Sequence, residues 1–68
     1  MHKINVLDLS AEAFAQHWVI EVEGPRGETV IVDKTAFHSF ILRHWTLPPE
    51  GHKCDNLAQV RAMVNKIA

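Results

Sequence analysis

The sequence predicts a small α+β fold. A β-hairpin and an N-terminal strand form a sheet that packs against two or three helices, in the order β-α-β-β-α-α. Three observations predict it. Residues 18–33, "WVIEVEGPRGETVIVD", alternate apolar and polar side chains on both sides of a Gly-Pro-Arg-Gly turn. Residues 35–47 repeat apolar side chains at helical spacing until Pro48 and Pro49. Residues 56–67 open on a capping pair and carry a second helical stripe.

The elements follow in chain order. "INVLDL", residues 4–9, mixes β-branched Ile4 and Val6 with polar residues and reads as a short edge strand. Ser10 is a good helix N-cap. Leu9 before it and Phe14 at the fourth helical position have the spacing of a hydrophobic staple, so residues 10–17 read as a helix of about two turns. In the hairpin, Trp18, Ile20 and Val22 share one strand face, while Val19, Glu21 and Glu23 take the other. Asp33 or Thr35 can cap the next helix, whose stripe is Phe37, Phe40, Ile41, His44 and Trp45. Pro48 and Pro49 end it, because the residue before a proline avoids helical backbone. Asn56 and Gln59 then cap a last helix with Leu57, Val60, Met63, Val64 and Ile67 on its buried stripe, and Lys66 suits its C-terminal dipole.

Composition narrows the function classes. Sixty-eight residues suit a single domain, residues 1–68, and a chain this short buries a smaller share of its surface than a larger one. At 47% hydrophobic and 22% charged it has the apolar content of a folded chain rather than a disordered one. A net charge of −1 gives no global attraction to nucleic acid or anionic membrane. One cysteine cannot form an internal disulfide, and the N-terminus lacks a secretory h-region, so a cytoplasmic protein is expected, with no membrane partner.

Histidine and cysteine density around "HSFILRHWTLPPEGHKC", residues 38–54, invites a metal reading. A structural zinc site needs four ligands converging at roughly 2.0–2.3 Å. His38 and His44 lie six apart, about 120° from one another on a helix, and His52-Lys53-Cys54 is spaced more tightly than structural zinc ligands usually are. His44, His52 and Cys54 can still meet across the turn, but solvated histidines and a small buried cysteine account for the same residues, and no metal or cofactor is expected. Cys54 near a helix N-terminus invites a lowered thiol pKa. No catalytic motif, phosphate loop or pocket-sized volume accompanies it, so no enzyme is expected.

Arg26, Lys34, Arg43, Lys53, Arg61 and Lys66 are scattered rather than clustered. Within them, "RGETVIVDKTAF", residues 26–37, resembles the stretch of Phd/YefM-type antitoxins in which an Arg-Gly turn leads into a β-branched strand and then a helix. Arg26, Gly27, Val30, Ile31, Val32 and Phe37 carry the resemblance. It implies a dimer that binds operator DNA and wraps a toxin with a C-terminal tail. The chain departs from that pattern in its shorter turn-to-strand spacing, its shorter first helix, and an amphipathic helix in place of a polar tail.

The aromatic residues Phe14, Trp18, Phe37, Phe40 and Trp45 fit a core, yet they are many for a core this small, and an exposed remainder marks an interface. Leu42, off the main stripe, and Leu47, in the proline loop, join Trp45 as candidate partner contacts. Acidic Glu21, Glu23 and Glu28, with Asp33 and the turn residue Arg26, offer a second candidate surface, suited to a basic partner, although edge charges also serve simply to keep strands soluble. The expectation is a non-enzymatic protein-binding module that regulates or inhibits a larger protein, in the manner of phage or mobile-element accessory proteins such as anti-CRISPR-type inhibitors. A DNA-binding, antitoxin-like dimer is the alternative; a homodimer stays open, and nucleic acid is the less favoured partner.

Overall fold

Val, Ile, Thr and aromatic residues favour the pleated backbone, and they dominate the middle of this chain. In the computed structural model, which describes residues 2–68, that preference wins over helical spacing. Five strands form one sheet: β1 (His2–Asn5), β2 (Val19–Glu23), β3 (Thr29–Ala36), β4 (Ser39–Arg43) and β5 (His52–Cys54), in spatial order β1-β2-β3-β4-β5. One helix, α1 (Leu57–Ile67), follows. The expected order β-α-β-β-α-α, with two or three helices, is therefore corrected to five strands and a single C-terminal helix.

The largest correction falls on residues 35–47. Instead of a helix, β3 runs on to Ala36, Phe37 and His38 turn the chain, and β4 returns antiparallel. Phe37, Phe40 and Ile41 satisfy helical spacing, but Ser39–Arg43 satisfies strand alternation equally well, and a run this short does not separate the two. Composition and context decide it. Thr35, Phe37, Phe40, Ile41 and Trp45 are all strand-favouring, and an isolated two-stranded hairpin is marginal without a further strand. Of the aromatics placed in the core, Phe14 and Phe40 are buried and pack edge to face with centroids 5.4 Å apart. Trp18, Phe37 and Trp45 are exposed instead.

The first helix is also replaced. Two 3₁₀ turns, Val6–Asp8 and Ala11–Phe14, occupy that segment, and the Ser10 side chain makes no capping bond. Asn5 caps the first turn, accepting the Leu7 N–H on its Oδ1 at 3.0 Å. Leu9 and Phe14 nonetheless bury, so the staple pair does its packing without an α-helix. The N-terminal edge strand exists, earlier than expected, and pairs parallel with β2. A parallel neighbour needs a long crossover, and residues 6–18 provide the dozen or so residues required.

The hairpin and the last helix stand where the sequence put them. Gly27 N–H donates to Gly24 O at 3.1 Å and Gly27 takes φ +88°, which a three-residue hairpin loop requires. Asn56 Oδ1 accepts the Gln59 N–H at 2.9 Å, and Gln59 Oε1 accepts the Asp55 N–H at 2.8 Å, one residue before the usual capping-box partner. Val60 and Val64 bury fully on the sheet, with Leu57, Met63 and Ile67 half-buried beside them.

Strand alternation then divides the sheet into two faces. Ile20, Val22, Val30, Val32, Phe40, Leu42 and Cys54 point to the core that α1 and the 3₁₀ turns cover. Among the described residues, nothing covers the opposite face. Its rows read Lys3–Glu21–Ile31–Arg43 and Val19–Asp33–Ile41–Lys53 across the paired strands, and Val19, Ile31 and Ile41 take no part in the core.

Candidate protein-binding surface

Trp45 leaves the end of β4 with 80% of its surface exposed, yet it is held. Its indole N–H donates to Glu28 Oε1 at 3.3 Å, and its ring lies against His44 with centroids 5.5 Å apart. His44 holds Glu28 in turn. His44 follows directly on β4, and only 3% of its side chain is exposed. Thr46 N–H donates to its Nδ1 at 3.3 Å, with the Thr46 hydroxyl at 2.7 Å from the same nitrogen. A ring nitrogen that accepts is unprotonated, so this bonding assigns the proton to Nε2, which faces Glu28 Oε2 at 3.4 Å. The result is a chain, Thr46–His44–Glu28–Trp45, that sets the angle of an exposed tryptophan.

Arg26 sits beside this group in the β2–β3 turn. Its guanidinium donates to Lys66 O at 3.1 Å and its backbone N–H to Ala68 O at 2.9 Å, so the turn is fastened to the end of α1. Cation and helix C-terminus are a favourable match. Glu21 and Glu23 are elsewhere, half-buried on the open face of β2. The expected surface thus separates into two. Arg26, Glu28 and Trp45 gather at one end of the sheet, and Glu21 and Glu23 lie on its open face with Asp33. Asp33 Oδ2 accepts from Arg43 Nη1 at 3.3 Å.

Two expected contacts do not reach the surface in the same way. Leu42 is fully buried between Val32 and the β5 strand, so it is a core residue and not a partner contact. Its place off the helical stripe was the signal for exposure, and that signal vanishes once the segment is a strand. Leu47 is half-buried and packs against the core. Val19, Ile31, Ile41 and Arg43, none of them an expected partner contact, lie on the open face. A signal for their strand was available. "PPEG", residues 48–51, has the same Pro-x-Gly spacing as "GPRG", residues 24–27. Both turns close the same way, Gly51 N–H donating to Pro48 O at 2.8 Å with φ +85° at Gly51. The second turn ends the longer connection from β4 to β5, residues 44–51, after a turn closed by Leu47 N–H on His44 O.

The histidine and cysteine residues are dispersed. His38 lies at the β3–β4 turn against Phe37, and His44 lies past the other end of β4. Among the described residues, no group of three or more His, Cys, Asp or Glu is placed to hold a metal ion. Cys54 is buried in the core, and burial, followed by the charge of Asp55, pushes its thiol up from the ordinary value rather than down. That direction is away from the lowered value that favours a thiolate nucleophile. A shallow groove of about 260 Å³ runs beside it between β5 and α1, floored by Ala62 and Met63.

The shifted thiol has a consequence for stability. A folded-state value above the unfolded one means the neutral thiol is what the fold accommodates. That contribution is complete below the ordinary thiol range and is lost as pH rises through the raised folded value. Urea midpoints of the native chain are expected to fall above pH ~9 more steeply than those of Cys54→Ala. Parallel curves for the two proteins would remove this role.

The antitoxin-like stretch can be placed too. Its Arg-Gly turn and β-branched strand are present, but the segment that follows is β4 rather than a helix. Among the described residues, no helix is long and apolar enough to cross a membrane. Compared with known proteins, the chain matches no family model, no curated protein and no solved structure at a significant level.

Proposed function

We propose that the chain is a non-enzymatic protein-binding module that regulates a larger cytoplasmic partner by inserting Trp45 into it. The observation that carries this reading is the clamped tryptophan. An indole left 80% exposed donates to Glu28 and lies against His44, and these contacts favour one rotamer before any partner arrives. Ordering of interface side chains is a main cost of association, and tryptophan is over-represented among residues that dominate binding energy. Pro25 and Arg26 in the adjacent turn extend the same end of the molecule.

The immobilised chain is expected to capture a partner from extracts of the source cells. Trp45→Ala is expected to lose that capture while keeping the native circular dichroism spectrum. Trp18→Ala serves as the control, since Trp18 is also exposed, at 60%, but lies at the start of β2 away from the clamp. Capture that survives Trp45→Ala, or that Trp18→Ala abolishes equally, refutes the assignment.

A further inference from the structure

The open face of the sheet is a separate surface from the Trp45 end, and its side-chain pattern points to an occupant. Across adjacent strands one row reads Glu21, Ile31, Arg43: acidic on β2, apolar on the central strand β3, basic on β4. The next row reads Val19, Asp33, Ile41. Such a row is complementary to its own image. We infer that this face binds a second copy of the chain, sheet on sheet, about a two-fold axis that runs along β3.

The charges select this axis over the others. Rotation about β3 places β2 of one copy over β4 of the other. Glu21 then meets Arg43 twice, Val19 meets Ile41 twice, and the two Ile31 side chains meet at the axis. An axis across the strands at the first row stacks Glu21 on Glu21 and Arg43 on Arg43. One shifted to between the two rows makes no opposite-charge pair. An axis between β2 and β3 brings Lys3 onto Arg43. An axis along β4 also pairs opposite charges, Asp33 on Lys53, but it sets Arg43 on Arg43 and leaves β2 uncovered; the β3 axis covers all five strands and adds the Val19–Ile41 contacts, in the isologous form that two-fold dimers take. It also keeps strand directions aligned, the commoner way for two sheets to pack.

One unfavourable contact comes with it. Asp33 lies on β3, so the axis brings the two Asp33 carboxylates together, each already held by its own Arg43 at 3.3 Å. Removing that charge frees Arg43 for Glu21 of the other copy and relieves the repulsion. The footprint is also small. Five strands at ~4.8 Å spacing and about five residues of length cover roughly 350 Å² per copy, short of the ~800 Å² of a standard interface. The dimer is therefore weak and concentration-dependent. Because the axis runs along the strands, both Trp45 ends emerge on the same side of the dimer. The pair thus presents two copies of the proposed partner contact together.

Sedimentation equilibrium of the purified chain, from micromolar to millimolar concentration, tests this. The mass is expected to rise from 7.7 kDa toward twice that value. Glu21→Arg and Arg43→Glu are each expected to weaken association by about tenfold or more, since each removes two symmetry-related pairs. Asp33→Asn is expected to tighten association, and in that background, which leaves no carboxylate beside position 43, the double variant Glu21→Arg/Arg43→Glu is expected to restore it. Recovery in the double variant separates loss of pairing from loss of folding. A chain that stays monomeric throughout overturns the inference. So does a dimer indifferent to both single changes, or one the double change fails to restore. Capture through Trp45 is read in a different assay and stands or falls independently.

Discussion

Leu42→Ala is expected to lose about 2–5 kcal/mol of stability, the cost of deleting a fully buried leucine and leaving a cavity. A chain of 68 residues has on the order of 3–10 kcal/mol in total. The variant should therefore populate unfolded chain in water, and its urea transition should move sharply to lower denaturant with little change in slope. Trp45→Ala is the paired measurement. It removes a side chain that is 80% exposed and one exposed hydrogen bond to Glu28, so a change within about 0.5 kcal/mol is expected. The pair discriminates between two secondary structures for one segment. On a helix spanning 35–47, Trp45 lies in the buried stripe and Leu42 off it, and the order of the two effects reverses. Strand β4 buries Phe40 and Leu42 and releases Trp45. A larger loss from Trp45→Ala than from Leu42→Ala would overturn the five-stranded sheet itself.

Gly24→Ala is expected to cost about 2–4 kcal/mol. Gly24 is buried at the end of β2, where Ala68 crosses it. A Cβ there would lie 2.4 Å from the Ala68 carbonyl carbon and 2.8 Å from its Cβ. The obstacle is backbone, so relief requires α1 to move away at its end. That movement also breaks the Arg26 N–H bond to Ala68 O, adding about 1 kcal/mol to the overpacking cost of about 1–3. Gly27→Ala, three residues on, isolates the other way a glycine matters. Nothing lies within 4 Å of its added methyl, but φ is +88°, so only the left-handed backbone cost of about 1–2 kcal/mol applies. Urea midpoints of the two variants give the comparison. Equal stability of Gly24→Ala and the native chain would mean that α1 is not seated on this turn.

These two expectations rest on different layers of information. The Gly-Pro-Arg-Gly turn, the alternation on either side of it and the Asn56–Gln59 cap are local. Each is set by residues within a few positions, so each could be read from the chain alone. Glu21 and Glu23 on one face with Ile20 and Val22 on the other follow from the same alternation. The segment 35–47 differs because its apolar residues fit both periods. What settles it is pairing with β3 on one side and β5 on the other, contacts that no window of neighbouring residues contains. The second Pro-x-Gly turn was the one local mark of that pairing.

The candidate site divides along the same line. Trp45 was legible as an apolar residue beside a proline stop, and Glu28 as an acid near the hairpin. Their hydrogen bond spans seventeen positions in sequence and exists only because β3 and β4 are neighbours. Leu42 went the other way, from proposed contact to core, when the period changed from 3.6 to 2. The sequence by itself determined the first hairpin, the capped last helix and the absence of a strong net charge. Tertiary structure alone decided that the middle of the chain is strand, that one face of the sheet is left open, and that an exposed tryptophan is held in place. The reason is that strands bond to partners distant in sequence, whereas a turn or a helix cap bonds to residues beside it.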